Sequence, residues 1–194
     1  LTVLLTKNEV TLAGIESSRF GTIQALAEQN TFALNHTTFR TGDRITVGNK
    51  IYSDKPLMMM VAYSMFYKII AAVTGISFNT HYYLSIYLVN LFGIGLLNIV
   101  LFLLFFKRLD RDVEAPFLSK LFLSACLILS TLLLSYGVAM NNHTPAALLL
   151  FVLFMQLMDY QTKESMPRAF LIGITAGVLF NLEIPTGSLF GISS

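Results

Sequence analysis

Tyr82-Tyr-Leu-Ser-Ile-Tyr-Leu-Val-Asn90-Leu-Phe-Gly-Ile-Gly-Leu-Leu-Asn98-Ile-Val-Leu-Phe-Leu-Leu-Phe-Phe106 runs for 25 residues without a charge. A helix needs about 20 consecutive apolar residues to cross the hydrocarbon core of a bilayer, so this stretch reads as a membrane span. Tyr82, Tyr83 and Tyr87 sit at its start, where an aromatic belt meets the headgroups. Asn90 and Asn98 lie inside it and are expected to pack against neighbouring helices through their amides.

Composition agrees with that reading. Of 194 residues, 55% are hydrophobic and only 12% charged, with a mean hydropathy of +0.67. A soluble domain carries about 25% charge. A net charge of +2 is too small for a nucleic-acid surface, so nucleic acid is excluded as a partner and the bilayer takes its place. The single cysteine, Cys126, lies in an apolar run, which excludes a disulfide framework.

Downstream of the first span come Lys107, Arg108 and Arg111, then apolar segments at 117–140, 144–159 and 168–190, the last interrupted by Glu183 and Pro185. Lys120 is expected to snorkel from the second of these. Asn141-Asn142-His143 separates the second from the third. Upstream, residues 1–15 read as the remnant of a first transmembrane segment, so the chain is expected to be the front part of a larger membrane protein. Residues 16–80 read as a loop between spans. The fold class expected is therefore all-α, a polytopic helix bundle with about four spans, an outer loop carrying interfacial helices, and one short hairpin.

Within that loop, Glu16–Gln29 is expected to form an amphipathic helix capped by Ser17 or Ser18, burying Phe20, Ile23, Leu26 and Ala27. Glu16 and Arg19 are three apart and lie side by side on it. Arg44–Val47 and Lys50–Ser53 read as strands around a Gly48-Asn49 turn. Tyr52-Ser53-Asp54-Lys55-Pro56 follows, and the chain then turns apolar. Leu57–Thr74 is short and carries Lys68. It is expected to lie in the interface with Met58, Val61, Ala62, Met65, Ile69 and Ala72 as its buried stripe.

The positive-inside rule gives the sidedness. Lys107, Arg108 and Arg111 mark one connection, and Lys163 and Arg168 mark another two spans later, so both belong on the cytoplasmic face. Asn141-Asn142-His143 and the first loop then belong on the other face. Glu183 lies 15 residues past Arg168, which lifts it about 22 Å along a helix toward that same face. Glu16, Arg19, Asp54, Lys55, His143 and Glu183 are thus expected on one side of the membrane, with Glu16, Asp54 and Glu183 lining one cavity and His143 at its rim. Ionisable groups at such depth tend to be functional. The plainer readings stay open: Asp54 as a cap with Lys55 as a headgroup anchor, His143 as a helix-end cap, and Glu183 as a partner for a helix break.

These residues resemble a known family. Glu16-Ser-Ser-Arg19, Thr41-Gly-Asp-Arg44, Tyr52-Ser-Asp-Lys-Pro56 and Asn141-Asn-His143 occur in the order seen in bacterial GT-C glycosyltransferases. The likeness is to those related to protein O-mannosyltransferases and the lipid A aminoarabinose transferase, and it covers about residues 14–190. The resemblance implies an integral membrane enzyme of the bacterial inner membrane, acting on the periplasmic side. It would move a sugar from a polyprenyl-phosphate donor to a lipid, glycan or protein acceptor. It further implies Glu16 and Asp54 as the catalytic carboxylates, Arg19 and Lys55 as contacts to the carrier phosphate, and Asp54 as a ligand of a divalent metal ion. Asn142, His143 and Glu183 would line the site. Many relatives have two adjacent acids where this chain has Glu16-Ser17, and Pro-Pro where it has Pro56-Leu57. Glu16 therefore stays open between a base and an ion-pair or second metal-site carboxylate. The alternative is a transporter or flippase of a lipid-linked or small anionic substrate, for which repeats and broken helices would be the signature.

Overall fold

The computed structural model describes residues 2–10 and 14–183. The chain is mostly helical, and three helices among the described residues are long and apolar enough to cross a membrane: Leu57–Thr74, Tyr82–Asp112 and His143–Thr162. The residues form two compact units. One is the chain up to Gly95 together with Val138–Asn141; the other is Leu96–Gly137 and the chain from Asn142 onward.

The first unit begins with one helical turn, α1 (Thr2–Leu5), followed by α2 (Ile15–Glu28), a β1–β2 hairpin (Arg44–Val47, Lys50–Ser53), α3 (Leu57–Thr74) and α4 (Tyr82–Asn90), which runs into a π-helical turn at Leu91–Gly95. The hairpin falls where its turn residues place it. Gly48 takes φ +60 at the first turn position, as a two-residue hairpin turn requires. Helix α2 is not one-faced as expected: Ser17 to Ala25 are all buried. It packs on α3 and β2, and its small residues Ser17, Ser18, Gly21 and Thr22 let neighbours close in on every side. The expected caps Ser17 and Ser18 are inside the helix, and Gly14 is its N-cap. Under it lies an aromatic core. Tyr67 stacks on Phe78 at 4.2 Å, Phe78 meets Phe39 edge-on at 5.1 Å, and Phe39 stacks on Phe20 at 5.5 Å.

Helix α3 reverses the stripe expected of it. Met59, Met60, Tyr63, Ser64, Tyr67 and Ile70 face the protein, while Met58, Ala62, Met65, Ile69 and Ala72 face outward, Met65 at 62% exposure. Both faces are apolar, so periodicity alone could not choose between them. The hydroxyls of Tyr63 and Tyr67 decide the inward face, because each has a partner there: Gly93 O at 3.0 Å and Glu28 Oε1 at 2.6 Å. Lys68 sits on the flank and donates to Asn30 Oδ1 at 3.1 Å.

The second unit holds α5 (Leu96–Asp112), α6 (Phe117–Leu129), α7 (Leu132–Tyr136), α8 (His143–Thr162) and α9 (Met166–Leu182). The expected 117–140 span is not one helix. It breaks at Ser130-Thr131, where the Thr131 hydroxyl donates to Leu127 O at 2.6 Å and accepts from Leu133 N at 3.2 Å, closing one helix and capping the next. Lys120 does not snorkel into water. It is 8% exposed, with its Nζ on Asp110 Oδ1 at 2.8 Å. Asn98 packs as expected, donating to Leu133 O at 3.2 Å; in the first unit Asn90 donates to Lys7 O at 2.8 Å. Helix α9 starts at Met166 rather than 168 and ends at Leu182. Pro185, expected to interrupt it, lies outside the described residues.

Candidate functional site

In the first unit, two segments far apart in sequence are tied together by hydroxyls. The Ser18 side chain, in the first turns of α2, hydrogen-bonds the Ser53 hydroxyl at 2.7 Å and donates to Asp43 O at 2.8 Å. Ser53 Oγ in turn accepts the backbone N–H of Lys55 at 3.1 Å. These bonds fix the Asp54-Lys55-Pro56 corner at the head of α3, where Pro56 suits the helix start through its fixed φ. Asp54 is one residue from Ser53 and belongs to this corner, whereas Glu16, two residues before Ser18 on α2, has its ion pair with Lys7.

The Lys55 ammonium stands between two acids, 3.1 Å from Asp54 and 3.4 Å from Asp43. Asp43 was not singled out from the sequence as a site residue, yet the hairpin contained the signal. Arg44 pairs with Ser53 in the ladder, so one step further out places 43 beside 54. Glu16 is held by Lys7, whose Nζ lies 3.0 Å from its Oε2. Lys7 was also overlooked; it lies outside α2, and helical spacing had pointed instead to Arg19. The guanidinium of Arg19 is turned inward. The residue is 9% exposed and its Nη1 donates to Met140 O at 3.1 Å. The guanidinium thus faces the protein interior. The reason is that Arg19 lies on the helix face that the 138–141 segment covers.

The donor set bears on the expected metal. A hard divalent cation takes about six oxygens. Asp43 and Asp54 converge on one point, but the Lys55 ammonium already holds it. Among the described residues no group of three or more His, Cys, Asp or Glu side chains gathers for a metal. The pair as it stands suits an ammonium, and the residues do not by themselves make a divalent site.

In the second unit, Asn142, His143 and Glu183 do come together. His143 opens α8, and its Nδ1 lies 2.9 Å from Glu183 Oε1 at the end of α9. Asn142 donates its side-chain amide to Leu182 O at 3.3 Å, covering one of the carbonyls that end α9. The His143 ring lies 4.6 Å from that of Tyr136, and both border an open hollow of about 840 Å³ along α7. Tyr136 carried no sequence signal, because its role depends on the break that ends α6 early.

No family model, curated protein or solved structure matches the chain.

The second unit is polar at both ends. Opposite the His143–Glu183 end, Arg108 and Arg111 both bind Asp159, at 3.1 and 3.0 Å, and each also pairs with Asp112. Arg168 donates to the carbonyls of Asp159 and Lys163. The connections at 107–114 and 161–168 therefore meet at one end, as antiparallel helices demand. Helix α8 separates the ends by about 30 Å at 1.5 Å per residue, close to the hydrocarbon thickness of a bilayer.

Proposed function

We propose that the chain is a membrane glycosyltransferase. It moves a sugar from a polyprenyl-phosphate donor to a hydroxyl on a lipid, glycan or protein acceptor at the non-cytoplasmic face of a bacterial inner membrane. The observation that carries this reading is the Lys55 ammonium, held by Asp43 and Asp54 at the head of a helix whose outward face is apolar. A donor of this class has a lipid tail and a charged reacting end. The apolar face of α3 suits the first and Lys55 the second.

In the reaction, the bond from the anomeric carbon to the phosphate oxygen breaks. The phosphate leaves with the electron pair, and the acceptor oxygen replaces it. Lys55 meets the negative charge that develops on the leaving phosphate. Arg19 contributes through the field of a buried cation and by holding residues 138–141. The acceptor hydroxyl loses its proton to a carboxylate, either Glu16 or Asp54. Each has an ammonium neighbour, Lys7 for Glu16 and Lys55 for Asp54. Asn142, His143 and Glu183, in the second unit, are assigned an acceptor-binding role in this reading.

The sidedness follows from charge. The Arg-rich end of the second unit is cytoplasmic under the positive-inside rule, which puts the His143–Glu183 end outside. The first loop belongs outside too, with α3 lying in the interface and Lys68 at its wet flank. The spans of this reading are then Tyr82–Asp112, α6 with α7, α8 and α9.

Among the described residues, the break between α6 and α7 favours a transporter or flippase, since discontinuous helices serve that function elsewhere. The two readings differ in product. With a radiolabelled polyprenyl-phosphate sugar, a transferase releases free carrier phosphate, whereas a transporter leaves the donor intact. In membranes containing the full-length protein, Lys55→Ala should lower release about a hundredfold, the effect of losing one contact to a developing charge. Unchanged release by a well-folded Lys55→Ala variant would return Lys55 to a headgroup anchor.

A further inference from the structure

A second cationic feature of the first unit is not used by the reaction proposed above. Between the β1–β2 hairpin and the segment that follows α2 lies a polar pocket of about 390 Å³, bordered by Asn35, Thr37, Arg40, Thr41 and Arg44. Its walls are closed by their own hydrogen bonds. Asn35 donates to Asn49 O at 2.8 Å and accepts from Ile51 N at 2.9 Å, which pins the hairpin. Thr37 donates to Leu34 O at 2.9 Å, and Thr41 accepts from Asp43 N at 3.0 Å. The amide and both hydroxyls are therefore committed to holding the pocket's shape.

The two arginines are not. Neither the Arg40 nor the Arg44 side chain has a hydrogen bond or an acidic partner among the described residues. The nearest acid in sequence, Asp43, is taken up by Lys55. A preformed pocket with two uncompensated guanidinium groups on its rim is built to receive negative charge. Each guanidinium offers five N–H donors in a planar fork that matches paired oxygens.

We infer that this pocket is an oxyanion site in which Arg40 and Arg44 clamp a phosphate group between the hairpin and the loop. Its volume admits a phosphate with a sugar or glycerol attached, and its apolar floor of Leu34, Phe39 and Ile51 accepts the carbon part. It is separate from Lys55, whose ammonium is already shared by two carboxylates. The chemistry is that of a phosphomonoester or phosphodiester, whether a soluble molecule or the headgroup of an anionic lipid.

The test uses the full-length protein in phosphatidylcholine nanodiscs, with inorganic phosphate as the probe and phosphorus NMR line broadening as the readout. Wild type should bind phosphate saturably. Arg40→Gln and Arg44→Gln should each weaken binding at least about tenfold, since charge-assisted contacts are among the strongest hydrogen bonds. In a Lys55→Ala background the loss caused by Arg40→Gln or Arg44→Gln should persist in full, which keeps this site distinguishable from the proposed catalytic one. Both arginines are exposed, and an unaltered melting curve for each variant confirms that the pocket survives. Phosphatidylglycerol included in the discs separates the sources. Displacement of phosphate by that lipid, lost in the Arg40→Gln variant, assigns the site to a headgroup; no displacement assigns it to a soluble phosphate. Absence of saturable binding, or binding indifferent to both arginine substitutions, overturns the inference.

Discussion

Gly93→Ala sets local helix propensity against packing, and the two predict opposite signs. Gly93 lies in the π-helical turn that follows α4, facing the ring of Tyr63 on α3. A Cβ added there would sit 2.4 Å from Tyr63 Cε1 and 2.8 Å from Cδ1. Carbon atoms in ordinary contact stand about 3.5–4.0 Å apart, so one side must give by about 1 Å. The ring cannot swing away freely, because it is buried and its hydroxyl donates to Gly93 O at 3.0 Å. Overpacking of this kind costs about 1–3 kcal/mol, and loss of the tyrosine bond about 1 kcal/mol more. Replacing a helical glycine contributes about 1 kcal/mol in the opposite direction. The net expectation is a destabilisation of about 2 kcal/mol. It is measured as the shift in an unfolding titration of detergent-purified protein, followed by circular dichroism. Tyr63→Phe alone should cost about 1 kcal/mol. After Tyr63→Ala the glycine substitution should instead stabilise by about 1 kcal/mol, the helix-propensity contribution alone, a coupling that a double-mutant cycle reads directly. A neutral or stabilising Gly93→Ala would mean that α3 and the π turn are not in the described contact.

The remaining predictions concern charge. On the transferase proposal, Lys55→Ala in the full-length protein should reduce release of carrier phosphate about a hundredfold while expression and melting stay near wild type. In intact cells carrying Cys126→Ser, an impermeant thiol reagent should label Ile45→Cys and leave Asp110→Cys unlabelled; labelling of the latter would reverse the sidedness. Asp110→Ala should destabilise more than Lys120→Met, by about 1–2 kcal/mol against less than about 1, because the first strands an ammonium that is 8% exposed while the second leaves a carboxylate that water already reaches. Equal effects would mean that Lys120 finds another partner or water when Asp110 is gone.

What sequence alone determined about this protein is what depends on near neighbours in the chain. A run of 25 uncharged residues must be helical wherever it meets lipid, since no other partner satisfies its backbone. Gly48-Asn49 determines the hairpin, because a two-residue turn leaves one register, and that register already contained the pairing of 43 with 54. The Arg and Lys positions foretold that the connections at 107–114 and 161–168 belong together. Tertiary structure alone decided the questions that local rules leave balanced. Both faces of α3 are apolar, and only the partners awaiting Tyr63 and Tyr67 choose which one turns inward. Ser17 and Ser18 could have capped α2, but a neighbour on every side makes them interior. Arg19 lies within helical reach of Glu16, yet Lys7, nine residues upstream, holds that carboxylate and Met140 receives the guanidinium. A side chain's partner is set by what folding brings within about 3 Å, and sequence spacing reports that distance only along a single helix or across a single turn.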